Sequence, residues 1–346
     1  MTADDLTALN EQIAALARAG LPLDQGLDSL ARDMGRGRLR AVTAAIASDL
    51  RAGHPLPEAL ARQDGRIPAY YANLVTAGVR SGRLPDVLAT LTTYARSVAA
   101  TRTIVSEALF YPAVVLVLGV ALFAVLSTVI LPEFERIFQE FGLTLPTATQ
   151  IVLAFGRHPV ELVVAPAVVL LAGPVVARAV LRLTPRGRRV WARAVYLVPL
   201  VGSLIRTARL AAFTELLGML VEYEVPLPAA FRLAGGAASD PDMADQAAAV
   251  EERLAAGVPL AEAFKGRGLV PDWVAWLAAA GERRGGLGPA LREVAAVYRR
   301  QVDARAAVLR SVLPPFVVIA TAGTLTLFFA VSVMLPMLKL LEGLSQ

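Results

Sequence analysis

The chain states one plan twice, and each statement runs into an uncharged stretch long enough to cross a bilayer. The first statement reads Ala19-Gly20-Leu21-Pro22-Leu23, Ala52-Gly53-His54-Pro55-Leu56, Ile67-Pro68 and Ala77-Gly78-Val79-Arg80-Ser81-Gly82-Arg83-Leu84. The second reads Tyr223-Glu224-Val225-Pro226-Leu227, Ala256-Gly257-Val258-Pro259-Leu260, Val270-Pro271 and Ala280-Gly281-Glu282-Arg283-Arg284-Gly285-Gly286-Leu287. Pro22 and Pro226 stand 204 residues apart, as do Pro55 and Pro259, and one slip leaves Gly82 and Gly285 at 203. Four blocks held in order at this spacing imply a duplicated domain rather than a solenoid.

A hydrophobic share of 56% and a mean hydropathy of +0.56 over 346 residues are too high for an ordinary soluble protein. The excess is concentrated in three segments. Phe110 to Leu131 carries no charge and reaches roughly 33 Å as a helix, against a hydrocarbon core of ~30 Å. Val312 to Leu338 is likewise uncharged. Leu162 to Ala177 is shorter and contains Pro166 and Pro174, but Arg178 and Arg182 can snorkel and lengthen it.

The distribution of arginine orients these three expected spans. Arg96 and Arg102 precede the first, Arg178, Arg182, Arg186, Arg188, Arg189 and Arg193 end or follow the second, and Arg299, Arg300, Arg305 and Arg310 precede the third. Between the first two, Glu133, Glu135 and Glu140 outweigh Arg136 and Arg157. Both copies are therefore expected in the cytoplasm, as is the N-terminus, whose first residues are polar and acidic instead of signal-like. The expected layout is a first helical bundle over 1–108, a span over 109–132, an external loop over 133–160 and a second span over 161–182. A second bundle over 183–311, a third span over 312–338 and a short external tail over 339–346 complete it. The fold class is all-α: a polytopic membrane protein with three transmembrane helices and two duplicated cytoplasmic helical bundles. Parallel copies argue against the inverted-repeat transporter plan.

Within each copy the punctuation predicts about six short helices. In the first they run to a C-cap at Gly20, from Pro22, over Leu39 to Leu50, over Leu56 to Ala61, over Ala69 to Ser81 and from Leu84 to Val105. Gly20, Gly53, Gly82, Gly257 and Gly285 are expected at turns that need a glycine backbone. Pro112, Pro132, Pro315 and Pro336 are expected at span boundaries, with the arms leading to the spans interrupted near Pro112 and Pro314-Pro315.

The repeated Gly-x-Pro-Leu, the later Pro and the Gly-x-x-x-Gly-x-Leu, followed by Tyr111-Pro112, Leu131-Pro132-Glu133-Phe134 and Leu145-Pro146, resemble the type II secretion system F family. The resemblance extends over nearly the whole chain. It implies an inner-membrane assembly platform of a type II secretion or type IV pilus machine. Its partners would be a cytoplasmic ATPase, pilin or pseudopilin subunits, other inner-membrane platform proteins, membrane lipid and further copies of itself. The chain departs from the family pattern in beginning its first copy almost at Met1, and in carrying Val79 where the second copy has Glu282.

Groups for other chemistry are sparse. There is no cysteine, and the two histidines, His54 and His158, fall on opposite sides of the membrane in this topology, so neither a metal site nor any other cofactor is expected. The glycine-rich segment from Gly281 lacks the Gly-Lys-Ser/Thr of a phosphate loop, and no enzymatic activity is expected. The net charge of +5 gathers at membrane edges, which suits anionic lipid better than nucleic acid. The rival class, a small-molecule transporter or channel, would be expected to place ionisable groups in its spans, and the first and third have none. Glu282, Arg283 and Arg284, with Arg80 and Arg83 in the first copy, are the candidates for docking a cytoplasmic partner.

Overall fold

The computed structural model describes residues 3–63, 65–140, 161, 165–181, 184–198, 200–238, 240–265, 269–334, 337, 338 and 341, and all regular structure among them is helical. The helices are α1 (Ala3–Arg18), α2 (Leu23–Asp33), α3 (Arg38–Arg51), α4 (Leu56–Ala61), α5 (Ala69–Arg80), α6 (Leu84–Val125), α7 (Leu131–Glu140) and α8 (Ala165–Leu181). They continue with α9 (Pro185–Leu197), α10 (Val201–Glu222), α11 (Leu227–Ala237), α12 (Pro241–Ala255), α13 (Leu260–Ala263), α14 (Asp272–Arg283) and α15 (Leu287–Phe329). The chain divides into two compact units, residues 1–103 with 192–305, and residues 104–191 with 306–346.

In the first unit, α1–α5 with the start of α6 form one helix set, and α10–α14 with the start of α15 form another in the same order. Helix ends explain the shared punctuation. After α1, Gly20 enters the left-handed region at φ 66°. Its N–H then donates to the Ala17 carbonyl at 3.2 Å while that of Leu21 donates to Leu16 at 3.0 Å. This paired closure satisfies carbonyls that a helix end leaves free. The same pair of bonds closes α3 at Gly53 and His54, α5 at Gly82 and Arg83, α12 at Gly257 and Val258, and α14 at Gly285 and Gly286. Pro22, Pro55, Pro68, Pro226, Pro259 and Pro271 each stand at the N-cap of the next helix, where their fixed φ suits the entry.

One hydrophobic core runs through both sets. Leu9, Ile13, Leu27, Ile46, Leu60 and Leu74 are fully buried in the first, and Leu216, Leu220, Phe231, Val250, Leu260 and Val274 in the second. Each such side chain contributes about 1.5–3 kcal/mol on leaving water. That is why short helices without strong caps persist.

In the second unit, two helices are long and apolar enough to cross a membrane by length and composition: Ser106–Ile130 within α6 and the π turn after it, and Leu287–Met334 through α15. The apolar α8 is shorter. Both α6 and α15 continue into a π-helical turn, Leu126–Ile130 and Ala330–Met334, and in each case Leu-Pro follows directly in the sequence. A proline has no N–H for the carbonyl four residues back and clashes with it, and a widened turn just before relieves both problems.

One expectation needs revision here. The arms are not interrupted: α6 passes through Pro112, and α15 through Pro314 and Pro315, without a break. Each proline removes only its own donor, and the long apolar helix on either side, with neighbours to pack against, holds the backbone in register. The beginning of the expected external loop is also helical, as α7, whose Glu133 and Arg136 are 3.6 Å apart. The rest of that loop, Pro336 and most of the expected tail lie outside the described residues.

Candidate functional site

The basic corners that join α5 to α6 and α14 to α15 are built by two glycines with different tasks. Gly82 and Gly285 supply left-handed turns at φ 68° and 70°. Gly78 and Gly281, one helical turn earlier, let the second helix come close. A Cβ on Gly78 would lie 2.8 Å from Val87 Cγ2 and 3.2 Å from Leu84 Cα. On Gly281 it would lie 2.7 Å from Ala290 Cβ and 3.3 Å from Leu287 Cα. Sequence reasoning assigned the turn glycines and missed the packing pair, although the repeated Ala-Gly at 77–78 and 280–281 carries the signal.

The five candidate docking residues fall into two environments. Glu282, Arg283 and Arg284 are exposed at the end of α14, with no ion pair formed among the described residues. Arg80 is exposed at the end of α5. Arg83 is engaged: its guanidinium lies 5.4 Å from the centroid of the Tyr223 ring, a cation–π distance, and 3.5 Å from Asp86.

Arg83 thereby marks the contact between the two helix sets. There α5 packs on α11, and Thr90 Oγ1 lies 3.4 Å from Tyr223 OH. On α11 and the turn before it, the stripe Val225, Ala229, Leu233 and Ala237 is partly or fully buried. Its four-residue spacing keeps it on one face.

Several polar groups inside each set are matched to partners, whereas Gln12 Oε1, Tyr298 OH and Arg299 Nε have none among the described residues. In the first, Asn10 donates to the Leu88 carbonyl at 2.7 Å and to Thr92 at 2.6 Å, and accepts from Tyr71 OH at 2.8 Å. Burial pushes the Tyr71 and Tyr94 hydroxyls up, with the neighbouring Tyr70 adding to both, and Tyr70 itself is pushed up to about 12. In the second set, Glu215 pairs with Arg299 in the interior. Arg209 donates to Asp240 at 3.0 Å and to Tyr196 at 2.6 Å, and Asp240 caps α12 through the Asp242 N–H at 3.0 Å. Tyr196, also hydrogen-bonded to Asp240, is raised to about 12, first by burial.

In the second unit, α6 and α15 meet closely. A Cβ on Gly119 would lie 2.5 Å from Thr321 Cγ2, and the Phe123 and Phe328 rings are 4.3 Å apart. Arg310 donates to Glu107 at 2.8 Å. The α7 helix packs on both π turns, in which Ser127 and Ser332 are buried. Among the described residues no cluster of three or more histidine, cysteine or carboxylate groups is arranged to hold a metal ion.

Comparison with known proteins accounts for the doubled architecture. A family model described as type II secretion system protein F matches twice, at residues 10–132 and 213–336. The chain is 28% identical over 340 residues to the type IV pilus assembly protein TapC of Aeromonas hydrophila, covering 97% of this chain and 81% of that one. It is 32% identical to the type 4 fimbrial assembly protein PilC of Pseudomonas putida, over 97% of this chain and 84% of that one. It is also 26% identical to the type II secretion system protein F of Pseudomonas aeruginosa, with 98% and 84% covered.

Proposed function

The chain belongs to the type II secretion system protein F family, and from that premise we propose that it is the inner-membrane assembly platform of a type II secretion or type IV pilus machine. In this reading the two helix sets are duplicated cytoplasmic bundles. The apolar part of α6, the region around α8 and the apolar part of α15 are its three spans, with the arginine-rich ends inside. A cytoplasmic ATPase of the machine acts on the bundles, and the spans raise pilin or pseudopilin subunits from the bilayer. Other inner-membrane components and lipid surround the spans.

One observation carries the mechanism. Each of α6 and α15 is a single helix, 42 and 43 residues long, that starts in a helix set at a glycine corner and ends in an apolar stretch. A continuous helix transmits displacement or rotation along its axis far better than a loop does, and neither arm is broken at its prolines. The exposed arginines at the corners offer the ATPase a basic surface.

The test is to insert three glycines after Ala100, in the arm of α6, and to confirm that the protein still accumulates in the membrane. Pilus assembly or secretion is then scored in cells whose own copy has been replaced. Loss of assembly with normal accumulation is the expected result, and undiminished assembly would overturn the coupling role of the arm. Co-purification of a secretion-type ATPase with the native protein, and its loss on Arg283→Glu with Arg284→Glu, tests the docking surface separately.

A further inference from the structure

Helix α9 begins three residues after the apolar α8 ends, and it carries four arginines and no acidic residue. The corner between the two helices is closely built. Thr184, the residue before α9, accepts from the Gly187 N–H at 3.1 Å, which occupies one of the donors that a helix start leaves free. A Cβ on Gly187 would lie 2.9 Å from Leu181 Cα, so the first turn of α9 sits directly against the last turn of α8.

The two sides of α9 are unlike. On one, Ala192 is buried, Tyr196 is hydrogen-bonded to Asp240 and Arg209, and Arg193 pairs with Asp242 at 3.1 Å. On the other, Val190 is 57% exposed and Leu197 84% exposed, with Ala194 exposed between them. Spacings of four and three residues put these three on a single stripe. Arg186 and Arg189 stand exposed along its edge, and Arg178 is exposed in the last turn of α8. Water gains nothing from an uncovered valine and leucine on one helix face, whereas apolar side chains bordered by arginines suit a helix lying in the plane of a membrane surface.

We propose that this face of α9 seats on the anionic headgroups of the cytoplasmic leaflet, with Val190, Ala194 and Leu197 in the interfacial layer and Arg178, Arg186 and Arg189 on lipid phosphates. The occupant is lipid because a leaflet offers a sheet of negative charge over an apolar layer, the complement of arginines beside an apolar stripe. The corner places it there: α9 starts against the end of α8, where a spanning helix leaves the hydrocarbon. With 17 residues, α8 reaches roughly 25 Å against a core of ~30 Å. Arginines that draw headgroups down to its end therefore relieve a shortfall in length. Because α9 also holds Asp240 and Asp242, the charge of the leaflet helps to seat the second helix set. The proposal rests on reading α8 as a span and is independent of what the machine exports.

The chain has no cysteine, so one introduced thiol reports one position. Full-length protein carrying Leu197→Cys, Val176→Cys or Leu21→Cys, all at exposed positions, is placed in nanodiscs of phosphatidylcholine with or without phosphatidylglycerol, and in native membrane fragments. The rate of alkylation by a charged maleimide is then measured. Val176, on α8, tests the span, and Leu21, before α2, gives the rate in open solvent. With phosphatidylglycerol present, Leu197→Cys is expected to react about tenfold more slowly than Leu21→Cys, and Val176→Cys more slowly still. Omitting phosphatidylglycerol, or adding Arg186→Gln with Arg189→Gln, is expected to restore most of the Leu197→Cys rate. Equal rates at 197 and 21 with Val176→Cys protected overturn the proposal and leave α8 as a span. Protection at 197 that ignores lipid charge, or that appears only in native membranes, also overturns it, the latter in favour of a protein on this face. Rapid alkylation of Val176→Cys overturns the reading of α8 as a span.

Discussion

The helix set of α1–α6 and the set of α10–α15 share their order and their turns but not their interiors. Where the first buries Asn10 among Tyr71, Thr92 and a carbonyl, the second has Thr214, Val274 and Ala295 at the corresponding positions. The ion pair Glu11–Arg96, at 2.5 Å and with both side chains largely exposed, corresponds to Glu215–Arg299, whose carboxylate is only 6% exposed. Asp28 pairs with Arg51 of α3, whereas its counterpart Arg232 pairs with Glu251 of α12, one helical turn before the position that corresponds to Arg51. The two sets share their backbone devices and differ in their polar contents. A turn restricts φ at one position, whereas a core requires only that volume be filled and each buried polar group be paired.

Alkaline pH should separate the two sets most strongly. A tyrosine raised on folding contributes its full stability below the unfolded value near 10 and loses it as pH climbs towards the folded value. Tyr70, at about 12, accounts for roughly 2–3 kcal/mol over that window. Tyr71 and Tyr94, raised beside it, add to the loss, while the corresponding Trp273, Val274 and Val297 do not titrate and that region has the single tyrosine Tyr298, which burial also raises. Between pH 10 and 12, hydrogen exchange should therefore show α5 and the start of α6 opening before α14 and the start of α15. Tyr70→Phe should narrow the gap, and simultaneous opening would mean that the shared core makes the two sets one cooperative unit.

The paired carboxylates sharpen the contrast further. Glu215→Ala strands Arg299 in a half-buried site and should cost about 2–3 kcal/mol, after allowance for the part of Arg299 that reaches solvent. Glu11→Ala removes an exposed pair and should cost less than about 0.5 kcal/mol. Thermal unfolding of the purified protein in detergent measures both, and equal costs would show that burial does not distinguish them.

Asn10→Ala leaves the buried Tyr71 hydroxyl without its acceptor, while the Leu88 carbonyl keeps the Thr92 hydroxyl, and should cost about 1–2 kcal/mol in the same assay. Thr214→Ala should cost less, because its hydroxyl bonds only within its own helix, to Leu210 and Ala211. The smallest effect has the opposite sign. Glu224 holds φ 61° where the first set has Gly20 at 66°, so Glu224→Gly should stabilise the turn by up to about 1 kcal/mol, and any loss would reveal a contact of the Glu224 side chain.

Much of this architecture is legible from residue types. The α4 helix runs over Leu56–Ala61 as its pattern predicts, and α5 begins at Ala69 after Pro68 and stops at Arg80, one residue short of the expectation. Such boundaries are local, because proline and a left-handed glycine constrain φ wherever they occur. The site was less legible. The repeated Ala-Gly at 77–78 and 280–281 marks Gly78 as a repeated position but does not tell that it must lack a Cβ because α6 crosses it. Arg83 looked like Arg283 and Arg284, yet it lies against Tyr223 more than a hundred residues away. The persistence of α6 and α15 through their prolines depends on what surrounds those turns, and residue type does not record that.

The sequence by itself determined a doubled, all-helical chain with glycine-closed turns and long apolar helices, because these follow from backbone geometry and from the length of uncharged runs. Only the tertiary structure decided which outward faces are covered. That α5 lies on α11 while α14 and α2 stay open depends on the shapes and charges of whole surfaces brought together by folding, and two nearly equivalent halves could have met by either pair.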